Sequence, residues 1–112
     1  MSGISLDSRK LKNKIRETAR QALIRFPEVA QIRLFGSLAK GAENPLSDVD
    51  IMVVLDRKDQ GRDPLEAARP YFAFFSDRLR VAVDVLITDR AGIDELDRTV
   101  GGSEMIAGRP HS

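Results

Sequence analysis

Residues 36–55 read GSLAKGAENPLSDVDIMVVL, and the fold turns on how this stretch is read. Gly36-Ser37 is followed by ten residues and then by Asp48-Val49-Asp50, which opens the apolar run Ile51-Met52-Val53-Val54-Leu55. An Asp-x-Asp alone is expected about once by chance in a chain this rich in aspartate, so its setting carries the information. Valine and isoleucine in the apolar run predict a strand over 49–55. On a strand, residues i and i+2 share a face, so Asp48 and Asp50 would project together with Cα atoms roughly 6–7 Å apart. Two divalent ions about 3.5–4 Å apart could be held by such a pair. The alternative is that Ser47 and Asp48 are turn residues and Asp50 caps a strand end.

Upstream, Gln31-Ile32-Arg33-Leu34-Phe35 alternates like a half-buried strand, predicted over 30–35. Glycine at its end lets backbone approach a ligand closely. A short helix from Ser37 to about Lys40 would aim free N–H groups at a phosphate. An ordinary strand-to-helix turn with Ser37 as N-cap fits the same residues. Downstream, Val81-Ala82-Val83-Asp84-Val85-Leu86-Ile87 predicts a strand over 81–87 with one acid at its centre. A carboxylate among β-branched residues is costly to bury unless paired or metal-bound. Beside the 49–55 strand, Asp84 would complete a three-carboxylate cluster and could accept a proton from an attacking hydroxyl. On the solvent face it would simply meet an arginine.

Together, G-S, ten residues, D-x-D and a later single acid resemble the nucleotidyltransferase superfamily with the DNA polymerase β type of palm, in its minimal nucleotidyltransferase branch (MNT antitoxin-like). The resemblance runs from about Ile32 to Ile87. It implies that Gly36 and Ser37 hold the nucleotide phosphates, with Lys40 the nearest cation. It implies that Asp48 and Asp50 bind Mg²⁺ and that Asp84 is the third acidic residue, making Asp48, Asp50 and Asp84 the catalytic and metal-binding set. Relatives often carry arginine directly after Gly-Ser, where this chain has Leu38. The implied chemistry is two-metal transfer of AMP from ATP to an acceptor hydroxyl. The implied partner is a small helical HEPN toxin, adenylylated on tyrosine by its antitoxin. Two other functions remain open: a non-catalytic nucleotidyltransferase fold that neutralises its partner by contact, and nucleotidyl transfer to a small molecule such as an aminoglycoside.

The remaining sequence predicts a helix over 8–26, capped at Asp7 or Ser8 and closed by Pro27. Its stripe Lys12, Arg16 and Arg20 is read as a solvated face or a contact for protein or RNA. Asp56–Arg62 is polar and turn-like, and Asp63-Pro64-Leu65-Glu66 starts a helix over 64–78, with a kink or break near Arg69 because Pro70 lies inside. Tyr71, Phe72, Phe74 and Phe75 would pack on the sheet, or form a surface for adenine or a partner. A last helix falls near 90–99. The tail from Gly101, with Gly108, Pro110 and His111, reads as loosely ordered, leaving a core of about 8–99.

The expected architecture is a single α/β (α+β) domain over 1–112: a small mixed sheet, palm-like, with helices mainly on one face and the acidic groups at one edge. With 112 residues, 42% of them hydrophobic, the chain can build a modest core. A net charge of +1 from 18 basic and 17 acidic residues gives no bulk field towards nucleic acid or membrane. Nucleic acid is therefore not the expected direct substrate, whereas a homo- or hetero-oligomer fits. The absence of cysteine, of a long apolar stretch and of a basic-plus-apolar leader predicts a cytoplasmic protein.

Overall fold

The computed structural model describes residues 3–36, 49–57 and 63–109. The organising element is a strand, β2 (Val49–Leu55), in which every residue but Asp50 is buried. A strand that is apolar on both faces needs neighbours on both edges and cover above and below. β2 has both. β1 (Val29–Phe35) pairs with it antiparallel and β3 (Val83–Asp89) pairs with it parallel. β4 (Ser103–Gly108) adds antiparallel to β1, giving the order β3-β2-β1-β4.

Helices α1 (Gly3–Arg25) and α2 (Pro64–Leu79) cover one face. There Ile15, Ala19 and Ala22 meet Ile32, Leu34, Ile51, Val53, Phe75 and Val83. The short helix α3 (Ile93–Thr99) covers the other face, where Ile93, Leu96 and Val100 pack on Phe35, Met52 and Val54. The fold is the expected α+β arrangement. No described helix is long and apolar enough to cross a membrane.

Several boundaries differ from expectation for physical reasons. Helix α1 begins at Gly3 and runs through Asp7 and Ser8, residues that favour caps but do not by themselves interrupt a helix. It ends as predicted, with Phe26 N–H donating to Ala22 O (2.8 Å) just before Pro27. Pro70 does not break α2, which runs unbroken to Leu79. Both Pro70 and Glu66, whose carbonyl the missing N–H would have met, lie exposed, so water can serve that carbonyl. The α2 start follows the sequence: the Asp63 side chain accepts from Leu65 N–H (2.9 Å) with proline at the first position. β3 begins at Val83, two residues later than predicted, because α2 extends to Leu79 and Arg80 adopts a left-handed turn (φ 56°) after it. Tyr71, Phe74 and Phe75 are buried, as packing on the sheet requires, and Tyr71 donates its hydroxyl hydrogen to Glu28 Oε2 (2.6 Å).

The tail is the main correction. Residues 103–108 form β4, and Arg109 anchors the strand to the rest of the fold. Its backbone N–H donates to Ala30 O (2.9 Å), Nε to Val29 O (2.8 Å), and Nη2 to Phe26 O (3.1 Å) and Leu23 O. A guanidinium thus caps the open carbonyl end of α1, where positive charge is favoured. The first two members of the α1 stripe are engaged within the fold. Lys12 Nζ (2.8 Å) and Arg16 Nη2 (3.2 Å) both pair with Glu104 of β4, while Arg20 stays exposed. The Lys12 hydrogen bond, seconded by Arg16, holds the Glu104 carboxyl below the usual range against the opposing effect of burial.

Arg109→Met keeps the stem but removes these donors, so it should lower unfolding free energy by about 1.5–3 kcal/mol; an unchanged urea midpoint would show that the tail is not structural. Glu104→Gln should lower stability by under about 1 kcal/mol near pH 7, the pair being part-exposed. A depressed folded pKa contributes stability above the unfolded value and loses it as pH falls through the folded one. The difference between wild type and E104Q should therefore vanish in acid; a constant difference from pH 7 to pH 3 would contradict the ion cluster.

Candidate active site

Three strand ends converge. β1 leaves the sheet at Phe35-Gly36, while β2 and β3 each enter it with a valine followed by an aspartate. Parallel pairing sets Val49 opposite Val83 and Asp50 opposite Asp84, and antiparallel pairing sets Phe35 opposite Asp50. The two-residue period sends Val49, Ile51, Val83 and Val85 into the core under α1 and α2. Asp50 and Asp84 therefore share the opposite face, one strand spacing apart, about 4.7–4.9 Å. Asp50 is half-buried and Asp84 exposed.

Gly36 presses directly on this pair. Its φ is +80°, and a Cβ built there would collide with Asp50 Oδ2 and come within 3.1 Å of Asp50 Cγ. Glycine is required twice at this position, once for the backbone angle and once for the close approach. The sequence places Gly36 opposite the acidic strand, and the geometry brings it against Asp50 itself.

A network that sequence reasoning missed lies beside the row. Ser103 pairs with Phe35 from the β4 side. Its hydroxyl accepts from Arg33 Nε (2.6 Å) and donates to Asp97 Oδ1 of α3, while its carbonyl accepts from Arg33 Nη2 (3.0 Å). Arg33 Nη1 also donates to Gln31 Oε1 (3.1 Å). The network ties β1, β4 and α3 together next to the aspartates. Its only sequence signal was an arginine alternating with apolar residues in β1, which points it to the face away from the α1 and α2 core.

Mg²⁺ prefers hard oxygen donors and commonly takes one or two carboxylates. Two aspartates on one face of adjacent strands fit that donor set, and like charges this close gain by sharing a cation. Ser37, Lys40 and Asp48, together with Leu38 and the short helix expected over 37–40, lie outside the described residues, as do residues 58–62 and His111. Among the described residues no group of three acidic, histidine or cysteine side chains gathers as a metal site.

The model of the nucleotidyltransferase domain family matches residues 12–100. A comparison with the curated proteins found no significant match. Among solved structures, a protein from Sulfolobus solfataricus described as a nucleotidyltransferase is 20% identical, with 95% of this chain and 87% of that one covered and a TM-score of 0.70. A toxin–antitoxin complex with AMP-PNP is 25% identical over 88% of this chain and 73% of the other, TM-score 0.54. A tri-AMPylated HEPN toxin from Shewanella oneidensis in complex with MNT antitoxin is 21% identical over 91% and 73%, TM-score 0.51.

Gly36→Ala and Gly102→Ala separate the two demands on glycine. Gly102 also has positive φ (+104°), but nothing lies within 4 Å of a Cβ built there. Gly102→Ala should cost only the backbone strain, about 1–2 kcal/mol, and Gly36→Ala a further 1–3 kcal/mol or so for the collision. Chemical denaturation of both variants and of Gly36→Ala combined with Asp50→Ala checks this; equal losses, or no relief in the double variant, would contradict the contact.

Proposed function

The chain belongs to the nucleotidyltransferase domain family, and we propose that it transfers AMP from ATP, with Mg²⁺, to a hydroxyl of a small helical HEPN partner in the cytoplasm. The observation that carries this reading is the register Asp50 opposite Asp84, with Gly36 against Asp50. Nucleotidyl transfer needs carboxylates on one face and backbone that lets a phosphate approach, and these are the groups found together. Further support comes from the neighbours: one complex contains AMP-PNP, and another pairs an MNT antitoxin with an AMPylated HEPN toxin.

In this reading Gly36, Ser37 and Lys40 bind the phosphates, by close backbone approach, a hydroxyl donor and a cation respectively. Asp48, Asp50 and Asp84 would hold Mg²⁺, which when bound neutralises phosphate charge and makes the acceptor hydroxyl more acidic. Asp84, exposed at the outer strand, takes the hydroxyl proton. The acceptor oxygen forms a bond to the α-phosphorus as the bond from that phosphorus to the β-phosphate bridging oxygen breaks in line, and pyrophosphate leaves with the electron pair. Asp50, half-buried with Gly36 pressed against it, is held in place while the hydroxyl approaches from the Asp84 side.

Mg²⁺ and ATP together should raise the melting temperature of the chain more than either alone, because binding to the folded state stabilises it by mass action. Asp84→Asn keeps shape while removing charge and base, so it should still co-purify with the partner but move labelled AMP from ATP about 10²–10⁴-fold more slowly. Wild-type labelling rates in D84N would remove Asp84 from the mechanism. Silencing of the partner by wild-type chain without any labelling would replace catalysis with contact.

A further inference from the structure

Of the ties that hold β4 to the sheet, one stands beside the site. β4 runs antiparallel to β1, so its first residue, Ser103, lies next to Phe35, the last residue of β1, and Phe35 lies opposite Asp50 on its other side. Gly36 follows at once, pressed on Asp50. Arg109 secures the far end of β4, about 20 Å away at the rise of an extended strand. Ile32 and Leu34 belong to the core under α1 and α2, whereas Phe35, Met52 and Val54 pack on the opposite face, so Arg33 shares the face of Asp50 and Asp84.

On that face the Arg33 guanidinium grips Ser103 twice, through the hydroxyl (2.6 Å) and through the carbonyl (3.0 Å), and the hydroxyl passes its own hydrogen to Asp97. A cation and an anion thus meet across one hydroxyl, an arrangement in which each hydrogen bond is charge-assisted and polarises the other. Closing the turn between α3 and β4 does not require it. That turn closes through backbone, with Gly102 N–H donating to Asp97 O (2.8 Å) and Gly101 N–H to Arg98 O (3.2 Å). What the side chains add is a fixed spacing between the start of β4 and the end of β1. From the α3 side, Leu96 and Val100 pack on the cluster that contains Phe35. The residue before Gly36 is therefore held by its ring and, through Ser103, by its strand neighbour.

We propose that Arg33, Ser103 and Asp97 are positioning residues for the nucleotide site: their network braces the end of β1 so that the Gly36 turn stays pressed on Asp50. A site that works within about 0.5 Å depends on such support from behind. That a phosphate sits on this turn rests on the AMP-transfer reading; the bracing of the turn does not, and separate measurements read the two.

Coupling between substitutions tests the brace without any ligand. Urea unfolding is followed with trimethylamine N-oxide present, which favours the folded state of every variant at the start. Gly36→Ala should shift the midpoint of the Ser103→Ala chain by about half as much as it shifts wild type, because a released turn can move off Asp50. In the Glu104→Gln chain, altered at the next residue of the same strand, the Gly36→Ala shift should equal that in wild type. Equal shifts in all three backgrounds would overturn the brace. Nucleotide is the second readout: N-methylanthraniloyl-ATP is titrated with each full chain in Mg²⁺ at a temperature where that chain is folded. Ser103→Ala and Arg33→Met should each weaken binding about tenfold, and Ser103→Thr, which restores the hydroxyl, should return it to within about twofold of wild type. E104Q should bind as wild type does. Loss in S103T equal to that in S103A, or binding indifferent to S103A and R33M, would overturn the brace while nucleotide binding stands. A wild-type chain that shows the coupling but binds no nucleotide would support the brace and overturn the phosphate-binding role of the turn.

Discussion

Burial of β2 on both faces is the constraint on which the other elements depend. Six of its seven residues are buried, and Asp50 is the exception at half-burial. A slip of one residue in its pairing would exchange the two faces, driving Asp50 under α1 and α2 and lifting Ile51 and Val53 out of that core. The cost of placing a carboxylate among Ile32, Leu34 and Phe75 without a partner is what fixes the register. Once β2 is fixed, the parallel ladder brings Asp84 opposite Asp50, and the antiparallel ladder brings Gly36 against it. The acidic pair is thus a consequence of how the core closes.

The two outer strands differ in how they are secured. β4 is tied at three places: Arg109 on the end of α1, Glu104 under Lys12 and Arg16, and Ser103 between Arg33 and Asp97. Much of this hydrogen bonding is charge-assisted, and it holds the β1 side of the sheet in place. β3 is secured chiefly by Val83, Val85 and Ile87 on the core face, while Asp84 and Leu86 are left open. The rigid side therefore carries the glycine turn and the open side carries the exposed carboxylate. That division suits a site in which one reactant is clamped and the other arrives.

Much of the fold was legible because local signals agreed. The run Ile51–Leu55 can only be an inner strand, Asp63-Pro64-Leu65-Glu66 starts a helix by side-chain chemistry, and Pro27 ends one. β4 was illegible because Ser103–Gly108 is short, glycine-flanked and stabilised by partners far off in sequence; nothing local distinguishes Arg109 from any other tail arginine. The β3 start was misplaced for a similar reason, since Val81 and Ala82 are as strand-like as Val83 and only the end of α2 decides between them. At the site, spacing located Gly36, Asp50 and Asp84, whereas the contact between Gly36 and Asp50 depends on a pairing register that sequence does not state. Phe72, expected to pack on the sheet with its aromatic neighbours, is instead turned outward on α2, because periodicity does not say which way the helix rotates about its axis.

What the architecture offers a nucleotidyltransferase is two carboxylates held by one ladder and freed from the core by their strand period. A crystal of the full chain grown with Mn²⁺ and AMP-PNP, measured at the manganese edge, shows directly whether that pair is used. An anomalous peak within coordinating distance of both Asp50 and Asp84, with the nucleotide phosphates on the Gly36 side, is the expected result. Nucleotide bound with manganese away from either carboxylate, or with Asp50 and Asp84 turned apart, would contradict it.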